Sequence, residues 1–292
     1  MNNMSKRYML KVAYDGTVYC GWQVQPNGPT IEGKLNAALS ELLGQEIEVI
    51  GASRTDSGVH AMGNVCVFDA DTRIPADKIK MALNQRLPED IRVWESCEVA
   101  EDFHPRHADT VKTYEYNIYN DIIEDPLRRQ YCDFCYIPLD TEKMQQAADY
   151  IVGEHDFTAF CSAGSSVLDK TRTVYSCEVF VTGRNDSAKF GQNSGRADAA
   201  DCGQNEATDG VESIGALDKK DTSWRGREIT IRITGNGFLY NMVRIIAGTL
   251  KEVGSGRLTP EDVRDIIESK DRSRAGDTAP ARGLTLVEIK YV

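Results

Sequence analysis

Between Glu228 and Thr234 apolar and polar side chains alternate without a break, and a period of two belongs to an extended strand with one covered face. Ile229, Ile231 and Ile233 form one face and Thr230 and Arg232 the other, which predicts a half-buried antiparallel strand. Its apolar face requires a covering layer. The chain supplies one by mixing strand and helix periods. Strands are predicted over 7–14, 47–52, 64–69, 91–99, 111–119, 131–137 and 284–291, with others flanking 185–223. Helices are predicted over 30–43, 76–87, 141–152, about 238–253, and after Thr259 and Pro260. The first of these has Thr30 to cap it, Gly44 to end it, and Ile31, Leu35, Leu39 and Leu42 on one face.

The order β-α-β-β-α-β in the first part, and a similar order afterwards, predicts an α+β fold. Two ferredoxin-like (split βαβ) units are expected, with antiparallel sheets and helices on one side. The boundary is placed at 105/106, giving an N-terminal unit 1–105 and a C-terminal unit 106–292. The open sheet face is expected to suit single strands or RNA hairpins. Residues 185–223 are rich in Gly, Ser, Asn and Asp and poor in large apolar groups, so they read as a flexible, dispensable insertion.

With 41% hydrophobic and 27% charged residues, the 292-residue chain is neither disordered nor collagen-like. No stretch reaches the roughly 18 apolar residues of a membrane span, and M-N-N-M-S-K-R-Y lacks the apolar run of a secretory signal. A cytoplasmic location is expected. The eight cysteines are scattered, without the density of a disulfide framework, and read as reduced thiols. The net charge of −11 weighs against a nucleic-acid partner, since phosphate binding depends on Lys and Arg. Residues 185–223 account for −4 of it, and the local placement of cations decides the matter. Lys270 to Arg282 holds four bases against two acids.

The most informative stretch for chemistry is G-A-S-R-T-D-S-G-V-H-A from Gly51, which puts Asp56 in a polar turn between two predicted strands. From the turn alone, an Asp that caps its own turn is the commoner reading. A nearby arginine would keep Asp56 ionised even when desolvated.

R-T-D-S-G-V-H-A closely resembles the motif of the tRNA pseudouridine synthase A family that bears the catalytic aspartate. The resemblance extends to F-H-P-R from Phe103, K-T-Y-E-Y from Lys112, G-E-H-D-F-T-A-F from Gly153, G-N-G-F-L-Y-N-M-V-R from Gly235 and T-A-P-A-R-G-L from Thr278. Ser53 and Ser57 depart from the Gly and Ala more usual at those places, and residues 185–223 are unusual.

The resemblance implies a pseudouridine synthase fold and isomerisation of uridine to pseudouridine at positions 38, 39 and 40 of the tRNA anticodon stem-loop. It implies Asp56 as the catalytic carboxylate, a role that needs neither metal nor redox cofactor. It leaves open whether that carboxylate adds to the base, adds to the sugar or assists a glycal route. Tyr114 is implied to stack on the target base and to accept a proton, although its face, shared with Tyr116 and Ile118, equally suits a packing tyrosine. Arg244 is implied as the partner of the carboxylate, on the side of its helix away from Leu239, Met242, Val243, Ile246 and Leu250. Arg54 is implied to displace the target nucleotide. A solvated arginine is the plainer reading of each. A homodimer is implied, with tRNA across both subunits and Arg272, Arg274 and Arg282 as phosphate contacts. A non-catalytic RNA-binding protein, or the same reaction on another RNA, is the alternative.

Three other signals are weak. Cys132 and Cys135 are predicted to project to opposite faces of one strand, a poor metal site. His104 and His107 lack a matching ligand set. Gly235 and Gly237 begin a dinucleotide-type loop that fails at Tyr240.

Overall fold

The computed structural model describes residues 5–164, 167–184 and 223–292, so the expected insertion lies almost wholly outside the described residues. The elements run β1 (Lys6–Tyr14), α1 (Ile31–Leu43), β2 (Ile50–Gly51), β3 (His60–Ala70), α2 (Ala76–Asn84), β4 (Ile91–Val99) and β5 (Thr110–Asn120). They continue with β6 (Asp133–Cys135), α3 (Thr141–Asp149), β7 (Gly153–Asp156), β8 (Thr171–Arg184), β9 (Arg227–Gly235), α4 (Met242–Gly254), α5 (Pro260–Ser269) and β10 (Leu284–Tyr291).

Cap chemistry explains the helix limits that the sequence located. The Thr30 side chain accepts from the Gly33 N–H, and Gly44 ends α1 at φ 66° while its N–H returns to the Ser40 carbonyl. At α5, Thr259 and Asp262 form a reciprocal capping box with Pro260 in the first turn. The helix expected from 238 begins only at Met242. Asn241 adopts φ 60°, a left-handed conformation that cannot continue back into a helix. Two further expectations shrink, since 47–52 pairs only at Ile50–Gly51 and 131–137 only at Asp133–Cys135.

The ten strands among the described residues form one mostly antiparallel sheet in the order β4-β1-β3-β10-β5-β9-β8-β7, with β2 on β3 and β6 on β5. The predicted alternation in β9 fixes its register. Ile233, Ile231 and Ile229 lie opposite Tyr114, Tyr116 and Ile118, and all six are buried in the core shared with the helices. On the other face Arg232 pairs with Glu115. Thr230, expected at a solvated face, is buried and donates to Asn117 Oδ1 at 2.8 Å. Ion pairs Arg7–Asp69 and Lys11–Glu95 also occupy that open face. It therefore carries ion-paired polar side chains where an RNA platform was expected.

Helices α1 and α2 pack together, as do α3, α4 and α5. Helix α4 is buried on nearly every side, from Met242 through Val253, so its apolar surface is consumed within the monomer. It runs so close to the segment before β10 that a Cβ on Gly248 would fall 1.9 Å from the Asp277 carbonyl oxygen. Strand β10 is the joint of the sheet. It pairs antiparallel with β5 through most of its length and parallel with β3 at His60 and Ala61.

Candidate active site

The loop that follows β2 is held from behind by the first part of the chain. Trp22 N–H donates to the Thr55 carbonyl at 3.0 Å, Asn64 Nδ2 to the Ser53 carbonyl at 3.0 Å, and Thr55 Oγ1 shares a 2.7 Å hydrogen bond with the buried Tyr14 hydroxyl. Gly58 turns the chain at φ 78° into β3, and Gly21 approaches so closely that a Cβ there would lie 2.6 Å from the Thr55 carbonyl oxygen. With its backbone anchored in this way, the loop directs Asp56 into a cavity of about 790 Å³.

Asp56, which lines that cavity, has its Oδ2 3.5 Å from Arg244 Nη1. The carboxylate faces the guanidinium, so the self-capping reading of the turn does not hold. Arg244 is itself fixed, donating from Nε to the Ala279 carbonyl at 2.7 Å and from Nη1 to Asn241 Oδ1 at 2.9 Å. Its side chain is only 17% exposed, which replaces the expectation of a solvated arginine. Burial pushes the Asp56 carboxyl above the usual carboxylate range, and the Arg244 charge pulls it partly back.

Tyr114 reaches the same cavity from β5. Its hydroxyl shares a 3.0 Å hydrogen bond with Ser53 Oγ, and its ring meets Phe238 edge to face at 5.2 Å. Burial pushes the phenol up to about 12, so at neutral pH Tyr114 is a hydrogen-bonding phenol, which weakens its reading as a proton acceptor. Ser53, a departure from the family pattern, thus supplies a partner for Tyr114; Ser57 donates to the Tyr19 carbonyl. Arg54 is exposed at the cavity wall.

Asp56, Tyr114 and Arg54 therefore line one cavity, together with groups the sequence did not single out, and Arg244, not itself a lining residue, joins them through its ion pair with Asp56. Arg106, Lys112 and Arg172 also line the cavity, and among the described lining residues Asp56 is the only acid. Arg106 Nε donates to the Gly51 carbonyl at 2.7 Å and Lys112 Nζ to the Ala52 carbonyl at 3.4 Å. Arg172 Nη1 donates to the Asp169 carbonyl at 3.1 Å. Each of these bonds uses a backbone acceptor and so neutralises no charge, and Glu32 and Asp169 act on Arg106 and Arg172 only through space. Burial lowers the Lys112 ammonium from its ordinary value, and Arg106 and Arg172 lower it further. The −11 chain thus keeps a strongly positive cavity.

Arg272, Arg274 and Arg282 are not among its lining residues. Arg272 and Arg274 bond to Thr278 and to the Asp265 carbonyl, and Arg282 lines a separate cavity of about 360 Å³ with Arg129 and Glu124. Among the described residues no three His, Cys, Asp or Glu side chains converge as a metal site; His104 and His107 stack on each other at 3.9 Å, and Cys132 and Cys135 are free thiols. No described helix is long and apolar enough to cross a membrane.

A family model described as tRNA pseudouridine synthase matches residues 11–107 and 147–292, which takes in Asp56 and Arg244. The chain belongs to the tRNA pseudouridine synthase family. It is accordingly an isomerase. Relatives named tRNA pseudouridine synthase A include one from Brevibacillus brevis, 44% identical over 286 residues, covering 98% of this chain and all of the relative. Another, from Thermoanaerobacter sp., is 40% identical with the same coverage, and one from Bacillus pumilus is 38% identical over 96% of this chain and 97% of its own. Arg106, Lys112 and Arg172 come from a loop and two strands far apart in this synthase's sequence. Arg106 and Lys112 do fall within the F-H-P-R and K-T-Y-E-Y blocks, the one signal that could have singled them out.

Proposed function

We propose that this synthase converts uridine to pseudouridine at positions 38, 39 and 40 of the tRNA anticodon stem-loop, with Asp56 as the catalytic carboxylate. The observation that carries the reading is one carboxylate, 3.5 Å from a fixed arginine, in a cavity whose other charged lining residues, among those described, are all cations. Uridine isomerisation breaks the bond from ribose C1′ to N1, turns the base, and joins C5 to C1′; the proton of C5 is lost and N1 gains one. A carboxylate can attack as a nucleophile or stabilise positive charge at C1′. The volume of about 790 Å³ suits an extruded nucleotide, with Tyr114 and Phe238 as apolar walls for its base and Arg54 at the entrance to fill the vacated stack. The cationic wall supplies the phosphate attraction that RNA requires.

The remaining expectations belong with this reading. Strand orders β4-β1-β3 with β2 beyond, and β10-β5-β9-β8, support two ferredoxin-like units divided near 105/106. A homodimer acting on tRNA in the cytoplasm follows from the resemblance. The test is tritium release from C5-labelled uridine in anticodon-arm transcripts, with each labelled position assayed separately. Wild-type release at 38, 39 and 40, abolished in Asp56→Ala with tRNA affinity retained, is the expected result. Release that survives the substitution would remove Asp56 from the chemistry, and binding without release in the wild type would favour a non-catalytic RNA-binding protein.

A further inference from the structure

Residue 241 meets three demands at once. Its backbone turns at φ 60° immediately before α4, a conformation that Gly adopts freely and Asn tolerates better than most side chains. Its amide oxygen accepts from Arg244 Nη1 at 2.9 Å, and that nitrogen is the one facing Asp56 at 3.5 Å. Its amide nitrogen donates to Ser162 Oγ at 3.0 Å, which fixes the amide with its oxygen toward the arginine. A short polar relay therefore runs from Ser162 through Asn241 and Arg244 to Asp56.

We propose that Asn241 is a positioning residue that sets how much of the Arg244 charge reaches Asp56; this rests on the role given to Asp56 above. Arg244 has two neutral acceptors, the Ala279 carbonyl on Nε and Asn241 on Nη1. A neutral amide orients the guanidinium without cancelling its charge. A carboxylate in the same place would compete with Asp56 for that charge. The other titratable groups facing the pair are Tyr114, toward Asp56, and Tyr116, toward Arg244, both from β5; Arg54, Arg106, Lys112 and Arg172 stand elsewhere on the cavity wall. These groups are common to every variant below.

The experiment compares the full-length wild type with Asn241→Gly, Asn241→Asp and Ser162→Ala. It measures kcat, KM and their pH profiles by tritium release, and the Asp56 titration by 13C-carboxylate NMR. Asn241→Gly accommodates the left-handed backbone and removes the side chain that carries the amide. It is expected to lower kcat by about 10- to 100-fold with KM within about twofold, and to move the acid limb and the Asp56 midpoint to higher pH. Asn241→Asp moves both further in the same direction, and Ser162→Ala moves them less. An Asn241→Gly protein with unchanged kcat and Asp56 midpoint would overturn the proposal, as would a loss confined to KM or to thermal stability. Absence of tritium release in the wild type would instead overturn the proposed function. The NMR midpoint does not depend on turnover and so separates the two failures.

Discussion

Lys112→Met separates folding from RNA binding, because the two should respond with opposite signs. Methionine keeps most of the apolar stem of lysine and deletes the ammonium. In the folded chain that ammonium is partly buried and faced by Arg106 and Arg172, and its pKa lies below its ordinary value. A lysine with a depressed folded pKa destabilises the fold at neutral pH, and the penalty fades as pH rises from the folded value toward the unfolded one. Each unit of depression corresponds to about 1.4 kcal/mol. Deleting the charge should therefore raise the Tm at neutral pH, and the advantage of the variant over the wild type should shrink as pH becomes alkaline. Binding should weaken. If Arg106, Lys112 and Arg172 each neutralise one phosphate, the three together contribute roughly −2 to −3 to the slope of log affinity against log salt. Removing Lys112 should reduce the steepness of that slope by about 0.7 to 0.9. Thermal melts across pH, together with anticodon-arm binding across a salt series, measure both effects. A variant that is less stable than wild type yet binds RNA with an unchanged salt slope would refute the assignment of Lys112 as an uncompensated cation in the RNA path.

Two further substitutions probe the carboxylate and its support. At 3.5 Å and an effective dielectric of about 20, the Arg244 and Asp56 charges attract by about 5 kcal/mol before screening. Partial exposure of both side chains reduces this, so Arg244→Met should move the acid limb of kcat upward by about 1 to 2 pH units, since the ionised carboxylate is then lost at higher pH; a limb that stays in place would contradict the pairing. Gly248→Ala forces a methyl group against the Asp277 carbonyl and should cost about 2 to 4 kcal/mol in urea unfolding. It should also lower kcat in the molecules that remain folded, because the displaced segment carries the Ala279 carbonyl that holds Arg244; full activity in the folded fraction would show that the segment does not position the arginine.

Regular periodicity made most of the fold legible. β4 and β10 were readable to their end residues, because Ile91–Val99 and Leu284–Tyr291 are bounded by turns and helix termini with plain local chemistry. β7 was missed because Gly153–Asp156 contains no apolar alternation; its identity as a strand comes from pairing with β8. The start of α4 was misplaced because Phe238 and Leu239 fit a helical period, while the left-handed turn at Asn241 leaves no trace in hydrophobicity. At the site, Asp56 stood out through its motif. The charge balance concealed its surroundings: the total of −11 says nothing about three cations that only the folded sheet brings together, whereas the visible cluster of Arg272, Arg274 and Arg282 lies outside the cavity.

The position of β10 bears on how the protein is made. The ribosome delivers this strand after both sets of strands it joins, so a nascent chain ending before Leu284 would hold two partial sheets with bare edges at β3 and β5. Asp56 belongs to one partial sheet's loop and Tyr114 to the other's strand, and Leu284 itself lines the pocket between them. Catalytic competence should therefore arrive as a late event of synthesis, and truncated translation products should be inert toward RNA chemistry even though most of their helices are complete.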